Sequence, residues 1–80
     1  MDIEKYIKNA LRYYNRNNLQ QYLITPEECI YISAELARLA RAAGLIELAD
    51  KTMARSNKLR DLLLKKDFTA FCDELWLGGV

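Results

Sequence analysis

The side chains that could carry chemistry in this chain are two cysteines, Cys29 and Cys72, and eleven carboxylates; histidine is absent. Without histidine there is no general base of the commonest kind, no imidazole metal ligand and no Ser-His or Cys-His dyad. The cysteines stand far apart with no C-x-x-C spacing, and no sequence neighbour activates either one. They read as buried thiols of an intracellular protein, with a long-range disulfide as the alternative. Asp73 and Glu74 are adjacent, but neighbouring helical residues point about 100° apart and do not converge on one ligand. Glu27, Glu28, Glu35, Glu47 and Asp50 could form a bundle carboxylate site, yet the Glu-x-x-His pairs of such sites cannot be built here. With Gly44, Gly78 and Gly79 as the glycines, no phosphate-cradling loop is available. The pattern predicts a protein that is not an enzyme, holds no metal or cofactor and takes no small-molecule substrate.

The elements that position these groups are helices. At 80 residues the chain is expected to form a single domain, 1–80, with a marginal core of its own. Ile3, Tyr6, Ile7, Ala10, Leu11 and Tyr14 recur with helical spacing and predict a helix over about 2–16. The run Asn15-Arg16-Asn17-Asn18 weakens it, because asparagine competes for the local backbone. Leu19, Tyr22 and Leu23 suggest a short helix over 18–24. Thr25-Pro26-Glu27-Glu28 is the strongest start signal: a capping threonine, a proline at the first helical position and a glutamate at the third. The helix it opens should run over 26–43 with Cys29, Ile32, Leu36, Leu39, Ala40 and Ala43 inward, and Gly44 should end it in the left-handed conformation.

A helix over about 45–66 follows at once, so the two should pack as antiparallel neighbours. Its apolar arc reads Ile46, Ala49, Met53, Ser56, Leu63 and Leu64. A last helix over 67–76, capped by Asp67, carries Phe68, Phe71, Cys72, Leu75 and Trp76, and the tail ending at Val80 is apolar enough to fold back or bind. The expected fold is all-α: a small bundle of four helices, five with the short one, around a central antiparallel hairpin.

Leu36-Ala37, Ala40, Gly44, Ala49 and Met53 fall on the positions of a known pattern, and residues 36–56 resemble the helix–turn–helix unit of a tetratricopeptide repeat. The likeness covers about a quarter of the chain, with no second copy. Ala40 and Met53 stand where that family places larger or aromatic residues. The resemblance implies the hairpin and a role in protein binding.

Charge is distributed in blocks under a net charge of +1. Residues 51–66 hold six basic groups and one acid, whereas residues 25–50 hold two and five. Lys51, Arg55, Lys58 and Lys65 should form a cationic ridge opposite the apolar arc, flanked by Lys66. Lys5, Lys8, Arg12 and Arg16 form a second, shorter one. Each reads as a solvated face or as a docking surface for phosphates or an acidic protein. Arg60 falls within the apolar arc, so it should snorkel to solvent, pair with an acid such as Asp67 or Asp73, or face a partner. Tyr13, Tyr31, Arg60, Leu75 and Trp76 are the candidate protein-interface residues, because large aromatics with a polar handle concentrate at interface centres.

Two functions follow. The first is a non-catalytic interaction module, an accessory or adaptor subunit of a larger protein. The second is a small nucleic-acid-associated protein, or a subunit of a DNA- or RNA-processing enzyme, that uses its basic faces for phosphate contact. A homodimer completing its core through the same faces is a third arrangement. No segment has the length or apolarity of a membrane span or a signal peptide, which makes the cytoplasm the expected location.

Overall fold

A computed structural model describes residues 2–77, with backbone only at Trp76 and Leu77. Among the described residues the chain is all-α: α1 (Ile3–Tyr13), α2 (Arg16–Gln20), α3 (Pro26–Ala42), α4 (Ile46–Leu64) and α5 (Phe68–Leu77). The expected fold-back of the tail and the Trp76 side chain lie outside the described residues.

Asparagines set the first boundary. Asn15 takes an extended backbone as N-cap of α2, its Oδ1 accepting from Asn18 N at 2.9 Å. Asn15 Nδ2 donates to Arg12 O and Asn18 Nδ2 to Tyr13 O, both at 2.7 Å, so α1 surrenders its last carbonyls to side chains and stops at Tyr13. The short helix accordingly lies at Arg16–Gln20, earlier than the spacing of Leu19, Tyr22 and Leu23 suggests.

At α3 the capping box forms in full. Thr25 Oγ1 accepts from Glu28 N, and Thr25 N donates to Glu28 Oε1, each at 3.1 Å. Asp67 caps α5 by accepting from Ala70 N at 3.1 Å.

Three helices end in the same way. The residue after the C-cap turns left-handed, and its amide and the following one bond back to carbonyls of the last turn. After α3 this seat is held by Gly44 (φ 80°), after α2 by Tyr22 (φ 62°) and after α4 by Lys66 (φ 57°). The closing bonds are Leu45 N to Ala40 O at 2.8 Å, Leu23 N to Asn18 O at 3.0 Å and Asp67 N to Leu62 O at 3.0 Å. Glycine is suited to this conformation; a tyrosine or lysine is strained in it.

α3 and α4 form the antiparallel hairpin: Arg41 meets Asp50 near the turn, and Ser56 meets Ile30 at the far end. Their seam is made of small residues. Ser33, Ala37 and Ala40 face Ala49, Thr52 and Ser56, all buried. One core cluster joins Ile7 and Leu11 of α1 to Leu36, Ala40 and Ala49, and the other joins Ile24, Cys29, Leu59, Phe71 and Leu75.

The inward face of α4 departs from the apolar arc. It runs Ala49, Thr52, Ser56, Leu59 at alternating steps of three and four, with Arg55 alongside; Ile46 and Leu64 stand in solvent and Met53 is half-buried. Hydroxyls make this possible, because they satisfy themselves on nearby carbonyls. Thr52 Oγ1 donates to Leu48 O at 2.7 Å, and Ser56 Oγ donates across the seam to Ile30 O at 2.8 Å. On α3, Leu39 and Ala43 are exposed, and Ser33 and Ala37 take the inward positions instead.

Candidate docking site

The expected ridge on α4 survives without its second member. Lys51, Lys58 and Lys65 are exposed, spaced seven residues apart. Arg55 is only 7 % exposed. One helical step brings it to the side of α4 that faces α1, where its Nη2 donates to the Tyr14 carbonyl at 3.3 Å. Tyr14 is the C-cap of α1, so the guanidinium closes a helix end whose carbonyls carry partial negative charge. Burial pulls the Arg55 pKa below the ordinary arginine value, opposed first by Cys29 and then by Glu74. Arg55 is therefore a structural cation and not part of a solvent-facing ridge.

The α1 ridge is largely occupied by local contacts. Lys8 pairs with Glu4 at 3.9 Å, Arg12 donates to Asn9 Oδ1 at 3.1 Å, and Arg16 pairs with Asp73 at 3.5 Å, tying α2 to α5. Lys5 is exposed on the first turn, its backbone amide bound to Asp2.

The candidate interface residues separate. Leu75 is buried against Leu59 and Phe71 and belongs to the core, because α5 turns that face onto α4. Tyr13 is exposed, its ring edge-on to Tyr14 at 5.4 Å between centroids. Tyr31, 63 % exposed, and Arg60 come together across the α3–α4 hairpin. They line a groove of about 390 Å³ with Glu27, Ile30, Ala34, Glu35 and Arg38. Arg60 lies outside the apolar arc, exposed, with Nη1 at 3.5 Å from Asn57 Oδ1 on its own helix. The carboxylate bound to Arg16 is Asp73, and that of Asp67 caps α5, so neither serves Arg60. Glu35 and Arg38 are bonded to each other, which leaves Glu27 as the groove carboxylate without an ion pair among the described residues.

A second groove, of about 500 Å³, opens between the α2–α3 connection and α5. Its floor is Ile24 and Phe71, both buried. Its walls are Leu19, Pro26 and Cys72, half-buried, and its rim is Tyr22 and Phe68, with Gln20 and Thr25 as the polar lining. Tyr22 is 92 % exposed and Phe68 55 %, and the neighbouring Leu23 is exposed as well. Phe68 is thus a rim residue and not core. The apolar spacing of α5 hid this, since Phe68 and Phe71 share its stripe. The signal that was available is Tyr22-Leu23-Ile24, three apolar residues in a row in a connection that a water-facing loop would fill with polar ones.

Cys29 is a free, fully buried thiol whose pKa burial pushes up to about 12 against the pull of Arg55. Cys72 is also free and lies at the second groove. Among the described residues no three histidine, cysteine or carboxylate side chains gather in a way that could hold a metal ion. Nor is any helix among them long and apolar enough to cross a membrane. No protein-family model matches this chain, and no curated protein or solved structure matches it either.

Proposed function

We propose that the protein is a non-catalytic helical interaction module, an accessory or adaptor subunit of a larger cytoplasmic assembly, that docks through the groove between α2 and α5. The observation that carries this reading is the exposure of Tyr22, Leu23 and Phe68 around an apolar groove whose floor is closed by Ile24 and Phe71. Contiguous apolar surface of this kind costs free energy in water and is covered when a partner binds. Tyr31 and Arg60 on the hairpin offer a second, more polar contact of the type found at interface rims. The resemblance of the sequence at residues 36–56 to a tetratricopeptide unit, taken as a proposal, would fit the same role. The test is retention of proteins from the native source on immobilised wild type and on Phe68→Ser. Specific retention by the wild type that Phe68→Ser loses supports the reading. Equal retention by the two, or a stable homodimer in sedimentation that buries Phe68, overturns it.

A second reading, association with nucleic acid, is favoured by Lys51, Lys58 and Lys65, which share one solvent-facing line of α4 and have no ion pair among the described residues. Such a line meets phosphates without reading bases. Binding at low salt that Lys51→Gln with Lys58→Gln weakens, with a salt slope lowered by roughly 0.7–0.9 per contact, supports it. Absence of binding at low salt removes it.

A further inference from the structure

We draw no further inference here: the strongest candidate, the uncovered apolar groove between the α2–α3 connection and α5, has Glu27, Glu28 and Asp67 beside it as free of ion pairs among the described residues as Lys65 and Lys66, so nothing in the structure shows what covers it.

Discussion

The α3–α4 seam and the α2–α5 end use their residues in opposite ways. The seam buries polar groups that a simple hydrophobicity reading would leave outside: Ser33, Thr52, Ser56 and Arg55. The α2–α5 end exposes apolar groups that the same reading would put inside: Tyr22, Leu23, Leu64 and Phe68. In the seam each hydroxyl bonds to a carbonyl, so burial leaves it satisfied, and small side chains let the helices approach closely. At the other end nothing in the described chain covers the rings. Residues of the seam answer to the fold, and on the proposed reading those of the groove rim answer to a partner.

The widest expected separation lies within α5. Phe71 is fully buried and Phe68 largely exposed, three residues apart. Phe71→Ala should cost about 3–5 kcal/mol in urea unfolding, enough to threaten a small domain's whole stability. Phe68→Ala should change it by no more than about 0.5 kcal/mol, as surface substitutions do. Similar costs for the two would erase the distinction between core and rim.

Overpacking probes the other region. Ala40 is fully buried in the seam, and Ala40→Leu should cost about 1–3 kcal/mol by forcing the helices apart. A neutral Ala40→Leu would mean that the seam is looser than its geometry implies.

How far these regions were legible beforehand follows from the same contrast. The start of α3 could be read from Thr25-Pro26-Glu27-Glu28, and its end from Gly44, because capping is local chemistry written within a few residues. The rotation of α4 could not be read from apolar periodicity. Its inward line passes through Thr52 and Ser56, whose burial depends on hydrogen bonds, one of them to a carbonyl on another helix. Arg55 was hidden for a related reason: its acceptor is the C-cap of α1, far away in sequence. Phe68 and Leu75 could not be told apart because both lie on the apolar stripe of a ten-residue helix, and only docking against α4 decides which part of the stripe is covered. Of the candidate interface set, the Tyr31–Arg60 pairing depended on the hairpin register.

A third prediction concerns pH. The folded Cys29 thiol titrates near 12 and an ordinary thiol near 9.0. Above the lower value the unfolded chain sheds a proton that the folded chain keeps, so stability is fully present below about pH 9 and falls as pH rises toward 12. The slope from this group is at most about 1.4 kcal/mol per pH unit. Tyr14, raised first by burial, adds a loss of the same sign above about pH 10. Cys29→Ala should unfold more easily at neutral pH yet show a flatter decline across this window. An unchanged decline would remove Cys29 as its source.

The smallest effects belong to the strained turns. Tyr22→Gly and Lys66→Gly relieve a left-handed backbone at the price of a more flexible unfolded chain, and each should stabilise by about 0.5–1 kcal/mol. Destabilisation by either would show that its side chain packs, contrary to its exposure.

Tyr22→Gly also supplies the most direct test of the claim that the α2–α5 end is kept for binding. Thermal unfolding and retention of native-source proteins would be measured on the same preparation of this variant and of wild type. The account predicts a higher Tm together with lost retention: a protein that folds better and binds worse. Retention equal to wild type, whatever the Tm, would contradict it.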